Sequence, residues 1–354
     1  MTSLPWDQDP KPAHDKTKES KDTTSPTPNP REPGLPMSRF RMRFAVLRRA
    51  KAPHFPGHLW RSMLTRHWRN HFCELGHGTC VGCEHPRTCL FGQLFENQDR
   101  DFQMPLVRGS KPPNPWVIRP SLKADWHQLL VGRTVEVDFS LFGSGPYDVA
   151  RLFDGLQSMQ ARSFQFGSGR LRLRRVIQLS LSGERLATWD GAWQEPPQTP
   201  DAMVIPPAPR RVRLVFETPT RLKFAKELVY PDTFAFHMMF RVLTRRISML
   251  CACHGGRQPR ADFRALIKEA AAIRGVTADL SWRDGDFPGK HKRAMGGLVG
   301  ILTLEGDRLE PFWPWLWLGQ FVGVGKGAPI GLGRYRLEVE DAVRSPSEES
   351  RGTV

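Results

Sequence analysis

The chain has 354 residues and carries 52 Lys and Arg against 36 Asp and Glu, a formal net charge of +16. Its length suggests about two domains, and its basic excess favours nucleic acid first and anionic membrane second as a partner. No apolar run reaches the roughly 18 residues of a membrane span and no secretory signal opens the chain, which favours nucleic acid. Six cysteines at this size do not indicate a disulfide scaffold, so we expect a cytoplasmic protein.

Residues 1–37 contain eight prolines with Ser, Thr, Asp and Lys, and almost no large apolar residues. A segment of this composition cannot bury enough apolar surface to fold, so we predict a disordered N-terminal arm. The arm carries five basic and six acidic residues. The basic excess therefore belongs to the rest of the chain.

Hydrophobic periodicity predicts the elements of a first domain over residues 38–195. Charged and apolar residues alternate over Arg39–Leu47 and predict a strand. Apolar residues recur every four positions over His58–Phe72 and predict a helix. Further patterns predict a strand over 132–142, a helix over 147–159 and a strand over 170–176. On the last strand, Arg170, Arg172 and Arg174 share one face, which is either a solvated surface or a contact for a polyanion.

Three histidines stand on the first predicted helix. His67 and His71 are four positions apart and lie beside the apolar stripe. His58 stands at the helix start. Histidines at the border of a helix either cover the edge of the core or take part in a reaction, and the pattern leaves both interpretations open.

Four cysteines follow this helix in the pattern Cys-x6-Cys-x2-Cys-x5-Cys, namely Cys73, Cys80, Cys83 and Cys89. Thiolates at this density are typical of structural zinc sites, and His77 or His85 are alternative ligands. The spacing is not that of a standard zinc finger, and free thiols are the competing interpretation. We expect a Cys-rich insertion over 73–89 that holds a structural zinc.

Prolines between residues 196 and 209 predict a linker, which is followed by a second domain over 210–342 and a disordered tail over 343–354. In this domain, alternation predicts strands over 211–216, 277–283, 297–304 and 335–339, and helical periodicity predicts helices over 234–251, 262–274 and 309–318. A basic run of Lys290, Lys292 and Arg293 separates the middle strands. The order is β-α-β-β-α-β with one extra helix. Both domains are consistent with the ferredoxin-like fold.

The stretch Gly319–Arg336 contains five closely spaced glycines together with Lys326 and Arg334. These glycines are Gly323, Gly325, Gly327, Gly331 and Gly333. Glycine brings bare N–H groups close to a ligand, and successive N–H groups form a cradle for anions such as phosphate. A dinucleotide site is not indicated, because its glycine fingerprint follows a strand and opens a helix, whereas a helix precedes this stretch and a strand follows it.

Several stretches resemble the CRISPR repeat-processing endoribonucleases, the RAMP proteins that cut precursor CRISPR RNA. In the second half these stretches are 216–223, 243–250, 295–300 and the glycine stretch. In the first half, Phe55-Pro-Gly-His-Leu-Trp-Arg resembles the start of the family's first helix, and Cys83–Glu96 resembles a cysteine-bearing stretch of some members. The resemblance covers about residues 40–340.

The resemblance implies an α+β protein with two ferredoxin-like domains in tandem and a C-terminal glycine-rich loop. It also implies cleavage without a metal or other cofactor, in which the ribose 2′-OH attacks the adjacent phosphate and leaves a 2′,3′-cyclic phosphate and a 5′-OH. A histidine near the end of the first helix often acts in the family. His67 and His71 occupy that region, so His71, then His67, and third His58 at the helix start are the catalytic candidates.

CRISPR repeat RNA is the expected partner, with other CRISPR effector subunits as further partners. Binding is expected from the arginines of the strand, the basic run and the glycine stretch. These residues are Arg170, Arg172, Arg174, Lys290, Lys292, Arg293, Gly323, Gly325, Lys326, Gly331, Gly333 and Arg334. The alternative is a RAMP subunit that holds CRISPR RNA within an effector complex without cutting it.

Overall fold

The structure is a computed structural model that describes residues 32–73, 80, 83, 89–96, 112–143, 149–199, 204–284, 295–306 and 308–339. The predicted arm up to residue 31, the predicted tail and the basic run Lys290, Lys292 and Arg293 lie outside these residues. In the described part of the chain, no helix combines the length and apolar character needed to cross a membrane.

The first half consists of one antiparallel sheet with helices packed against it. Its strands pair in the order β2-β3-β1-β5-β4, and β6 pairs with β5. The elements are β1 (Met37–Arg48), α1 (Gly57–Phe72), a π-helical turn (Gly92–Glu96), β2 (Trp116–Pro120), β3 (Thr134–Phe142), α2 (Val149–Asp154), α3 (Gln157–Ala161), β4 (Phe164–Phe166), β5 (Gly169–Leu179) and β6 (Arg185–Trp189).

The alternation along β1 explains the two faces of this sheet. Phe40, Met42 and Phe44 point into a core that the apolar stripe of α1 completes, with Trp60 and Trp68 fully buried. Successive side chains of a strand point to opposite faces, so the arginines between them line the other face. We call this other face the outer face of the first sheet.

The second half has one antiparallel sheet in the order β10-β11-β7-β12, and a separate hairpin joins β8 to β9. Its elements are β7 (Arg211–Thr220), β8 (Lys223–Phe224), β9 (Glu227–Leu228), α4 (Phe236–Cys253), α5 (Phe263–Ala272), β10 (Val276–Arg283), β11 (Gly297–Glu305), α6 (Trp313–Val322) and β12 (Tyr335–Val339). With α5 as the extra helix, the main elements follow the predicted β-α-β-β-α-β order.

Two predicted helices differ from the structure. The last helix, expected over 309–318, continues to Val322, so Gly319 is helical. A Cβ at Gly319 would lie 1.9 Å from the Tyr335 hydroxyl, so this glycine permits close packing of α6 on β12. The helix expected over 147–159 is two short helices, α2 and α3. Gly155 lies between them, and its approach to α1 is close enough that a Cβ would lie 3.2 Å from Phe72 and Trp68.

The two halves share one interface, which includes the end of the predicted arm. Leu35 and Met37 are buried in the core of the second half, together with Val117 and Phe142 from the first sheet. The prediction of a disordered arm to residue 37 is therefore wrong for these last residues, because their apolar side chains have a core to fill. The predicted linker is also held, since Pro206 accepts a hydrogen bond from Trp313 Nε1 at 2.6 Å.

Candidate functional site

A small cleft, with a cavity volume of about 10 Å³, opens where the two halves meet. It is bounded by the turn before α1, the end of β2 and the loop between α6 and β12, which we call the glycine loop (residues 323–334). The lining residues are His54, Phe55, Pro56, Gly57, Arg119, Pro120, Leu122, Trp126, Thr218, Ile330, Gly331 and Arg334. The cleft thus brings together residues that are up to 280 positions apart in the chain.

Glycine is required where α1 meets the glycine loop. A Cβ at Gly57 would lie 1.8 Å from the carbonyl oxygen of Ile330. On the other side of the contact, Gly331 has φ +83° and a Cβ there would lie 2.8 Å from the carbonyl oxygen of Ile118. Only glycine fits these positions without moving the backbone, so the first turn of α1 rests directly against the glycine loop.

Several backbone N–H groups of the glycine loop already have hydrogen-bond partners within the protein, whereas an anion cradle needs free N–H groups. Its five glycines all have φ between 64° and 87°. The N–H groups of Val324, Lys326 and Gly333 donate to carbonyl oxygens within the protein, at 2.9–3.0 Å. The cradle prediction is therefore wrong for these groups. Among the described residues, the N–H groups of Gly325 and Gly327 have no partner, and the side chain of Lys326 is exposed.

Two arginines fix the end of α6 at the start of this loop. Arg119 Nη2 donates to the carbonyl oxygen of Phe321 at 2.6 Å, and Arg246 Nε donates to that of Val322 at 3.0 Å. Cations at the C-terminal end of a helix also interact favourably with its dipole. Burial, together with the nearby charges of Arg334 and Arg39, lowers the pKa of Arg119 to about 9. Arg119 Nε is buried and has no hydrogen-bond partner within the described residues.

Cations outnumber anions around Arg119. Arg334 pairs with Glu217 at 2.6 Å, and Arg41 forms two hydrogen bonds to Asp138 at 2.8 and 3.1 Å. Arg39 donates to the backbone carbonyls of Ser180 and Leu181 and forms no ion pair with a carboxylate among the described residues. Three arginines, Arg119, Arg39 and Arg334, thus lie close enough to interact with one another and with two carboxylates, Asp138 and Glu217. An excess of partly desolvated cations attracts an anion such as a phosphate.

Two histidines stand at the cleft end of α1. His54 lines the cleft, and its ring stacks on that of His127 with centroids 6.2 Å apart. His58 is half-buried on the first turn of α1. Burial lowers the pKa of His58, and a hydrogen bond with the backbone of Phe55 acts in the opposite direction. A lowered pKa keeps the imidazole neutral, the form that accepts a proton. His54 and His127 are absent from the sequence-based candidates.

The other two histidine candidates lie along α1 away from the cleft. At 1.5 Å per residue, His67 and His71 are about 15 and 21 Å along the helix axis from Gly57. His67 packs its ring edge-on against Phe164, and burial lowers its pKa. His71 is exposed and contacts Phe72. The structure therefore separates His58 from His67 and His71, so they do not share one site.

The predicted basic strand is β5, and its arginines are accessible. Arg170 and Arg174 are exposed and Arg172 is half-buried, whereas Leu171 and Leu173 between them point into the core. A bulge beside Arg174 interrupts the pairing with β1. None of the three arginines forms an ion pair among the described residues. Arg170 donates to Ser163 instead, at 2.8 Å.

The cysteines lie at the far end of α1 from the cleft. Cys73 ends α1, Cys89 Sγ contacts the carbonyl oxygen of Phe72 at 3.7 Å, and Cys80 and Cys89 pack against the first core. Burial raises the pKa of the Cys80 thiol, and the charges of Glu96, Cys83 and Cys73 raise it further. No group of three potential ligands is placed to bind a metal within the described residues, which omit His77 and His85. The zinc site stays a prediction.

The cleft places His54, a side chain that can transfer a proton, beside Arg119 and Arg334, and His58 lies on the adjacent first turn of α1. The sequence offered one signal for it, Phe55-Pro-Gly-His next to α1. Arg119 was missed because β2 has only five residues and shows no clear alternation. Arg119 is recognised as a residue of the cleft only from the contact between β2 and the glycine loop.

Comparisons with known proteins extend over both halves. Residues 35–199 match a family model described as an N-terminal domain, and residues 214–335 match the CRISPR-associated endoribonuclease Cas6 family. No curated protein sequence matches the chain at a significant level.

Solved structures with the same fold are Cas6 proteins. One is the product complex of a Cas6 from Thermus thermophilus, with a TM-score of 0.54 and 15% identity over 85% of this chain and 100% of that chain. Another is a partial Cas6-RT-Cas1–Cas2 complex, with a TM-score of 0.53 and 14% identity over 87% of this chain and 46% of that chain. At these identities the similarity shows a shared fold. The match over residues 214–335 shows that the second half of the chain is similar to the CRISPR-associated Cas6 endoribonucleases.

Proposed function

We propose that the protein binds CRISPR repeat RNA and cleaves precursor CRISPR RNA without a metal, at the cleft between its halves. We also propose that the two halves are ferredoxin-like domains, because both follow the β-α-β-β-α-β order with antiparallel pairing. The observation that carries the proposal is the convergence of His54, Arg119, Arg334 and the glycine loop on one cleft.

In the proposed reaction a neutral histidine removes the proton from a ribose 2′-OH. The 2′-oxygen attacks the adjacent phosphorus, the bond from phosphorus to the 5′-oxygen breaks, and the leaving 5′-oxygen takes up a proton. The products are a 2′,3′-cyclic phosphate and a 5′-OH. His54 and His58 stand where they can serve the proton transfers. Arg119, which forms no ion pair among the described residues, would stabilise the charge that develops on the phosphate oxygens.

The first experiment incubates the purified protein with the CRISPR repeat RNA of its source, with and without EDTA. We expect equal cleavage in both and a 5′ product that ends in a cyclic phosphate. Cleavage that EDTA abolishes would contradict the metal-independent mechanism. Tight binding without any cleavage would favour the alternative of a non-catalytic RAMP subunit.

Histidine variants locate the reaction. We expect His54→Ala or His58→Ala to slow cleavage by roughly 10²–10⁴-fold, the usual contribution of general acid–base catalysis, with little change in RNA affinity. His67→Ala and His71→Ala are matched controls on the same helix and should cut normally. If instead His71→Ala alone loses activity, the reaction takes place at the other end of α1, as the sequence-based choice of His71 predicts.

A further inference from the structure

Tyr230 and Trp282 form an aromatic pair at the surface of the second half. Their ring centroids are 4.7 Å apart and their planes are tilted by 39°. Tyr230 remains 44% exposed, although the other tyrosine that the structure describes, Tyr335, is fully buried. A single exposed aromatic residue is ordinary on a protein surface. This one is held in place from two sides.

The backbone fixes Tyr230 before any ligand arrives. Pro231 restricts the preceding residue to extended conformations, and Tyr230 has φ −101° and ψ 168°. The N–H of Tyr230 donates to Thr233 Oγ1 at 2.9 Å, and the N–H of Thr233 donates back to the carbonyl oxygen of Tyr230 at 3.1 Å. The tyrosine therefore loses little conformational entropy when its ring contacts a ligand.

The indole of Trp282 is fixed as well. Its Nε1 donates to Asp284 Oδ1 at 3.0 Å. Gly296 lies against the same nitrogen, and a Cβ there would come within 2.9 Å of it. Trp282 also packs partly against the second core. The Nε1 of Trp282 thus has a hydrogen-bond partner, and its ring packs against the ring of Tyr230.

The aromatic pair is connected to the cleft through the end of β10. Arg283, the residue after Trp282, lies over the ring of Phe55 at 5.3 Å, and Phe55 lines the cleft. The β8–β9 hairpin next to Tyr230 exposes Lys223 and Lys226. Neither lysine pairs with a carboxylate among the described residues. The acidic residues of this region are Glu227, Asp232 and Asp284.

We propose that the aromatic pair is a stacking platform for an unpaired nucleobase of the RNA, beside the nucleotides that enter the cleft. This proposal rests on the proposed function. Stacking on a rigid aromatic ring suits any base, because every base has a π-face, and nearby cations follow the backbone. The platform would hold single-stranded RNA next to the cleft without reading its sequence.

The test uses the full-length protein and a repeat RNA with a 2′-deoxy substitution at the cleavage position, which prevents cutting. A fluorescent 2-aminopurine is placed in turn at each unpaired position. We expect quenching at one or two adjacent positions with the unmodified protein. Tyr230→Ala should abolish that quenching and raise Kd by about 5- to 150-fold, the usual range for one stacked base. Tyr230→Phe should behave like the unmodified protein.

Two controls separate stacking from other effects. Tyr230→Leu keeps an apolar side chain without a π-face and should behave like Tyr230→Ala. Leu130→Ala removes an exposed apolar side chain from the first half and should change nothing. The proposal is overturned if Tyr230→Ala leaves both quenching and Kd unchanged, or if only a protein partner, and no RNA, depends on Tyr230. If quenching depends on Tyr230 but the unmodified RNA is not cut, the platform stands and the proposed function fails.

Discussion

The arginines of the two sheets differ in how far nearby carboxylates neutralise them. On the second sheet, Arg213 pairs with Glu338 at 2.9 Å and Arg336 with Glu217 at 3.3 Å. On the first sheet, Arg41 pairs with Asp138 and Arg43 with Glu136, but the arginines of β5 have no carboxylate partner among the described residues. The pairs of β7 and β12 thus make a neutralised face on the second sheet, whereas β5 presents unpaired cations on the first.

This difference predicts which surface the proposed RNA substrate contacts. An arginine that already pairs with a carboxylate gains little from a phosphate, because the first interaction must be given up. Unpaired arginines gain the full interaction and release counterions from the nucleic acid. The net charge of the chain is therefore less informative than the distribution of carboxylates among the arginines.

The largest expected effect is the loss of a structural zinc from the first half, which contains four cysteines close together in sequence. If they hold a structural zinc, freshly purified protein should contain about one zinc per chain. Cys80→Ser should remove the metal and lower the thermal stability, while Cys253→Ser in the second half should keep it. Elemental analysis measures the metal directly. Protein prepared with care and found free of zinc would identify these residues as ordinary thiols.

The next largest effect is on the free energy of unfolding, when one ion pair from each sheet is removed. Burial alone would raise the pKa of Asp138, but its hydrogen bonds with Arg41 and the charges of Arg39 and Arg334 hold it below the ordinary value. Asp138→Asn should reduce the free energy of unfolding by about 1.5–3 kcal/mol at neutral pH. Glu305→Gln, whose pair with Arg211 is exposed, should cost about 0–1 kcal/mol.

The pH dependence follows from the direction of the Asp138 shift. A carboxyl with a lowered pKa in the folded state contributes stability that is present above the unfolded pKa. This contribution is lost as the pH falls through the lower, folded pKa. The stability difference between the unmodified protein and Asp138→Asn should therefore shrink below about pH 4. Denaturant unfolding at several pH values measures it, and a difference that persists under acid would contradict the ion pair.

The smallest expected effect is on RNA binding. Arg172→Ala and Lys326→Ala should each weaken binding to all RNAs of similar shape and reduce the slope of log K against log salt by about 0.7. Arg213→Ala, on the neutralised face, should leave the slope unchanged. Equal slopes for all three variants would mean that RNA follows a different surface.

The sequence predicted the elements with strong periodicity and missed those without it. Met37–Arg48, Gly57–Phe72 and Tyr335–Val339 match the expected strand, helix and strand closely, because each has one buried face. The hairpin at Lys223–Leu228 was missed because strands of two residues have no period. The glycine stretch was located correctly, yet most of its N–H groups hold the loop itself.

The candidate site could be predicted only in part for a similar reason. Local patterns identified the histidines of one helix but not which end of the helix faces a cleft. That depends on Gly57 resting against Ile330 and on Arg119 reaching Phe321, contacts that join separate halves. The hydrophobic periodicity of a single helix or strand carries no information about contacts between the two halves. His54 and Arg119 therefore emerge from the packing of the halves rather than from their neighbours in sequence.

The shared interface has a consequence for biosynthesis. Met37, Val117 and Phe142 belong to the first half but are buried in the core of the second. A ribosome releases the first half earlier, at ~5–20 residues per second, so these side chains wait about 7–30 s until residues 200–339 are complete. During that interval the nascent chain exposes an apolar end surface beside unpaired arginines. The first half should consequently depend on chaperones during translation, and it should be poorly soluble when it is produced alone.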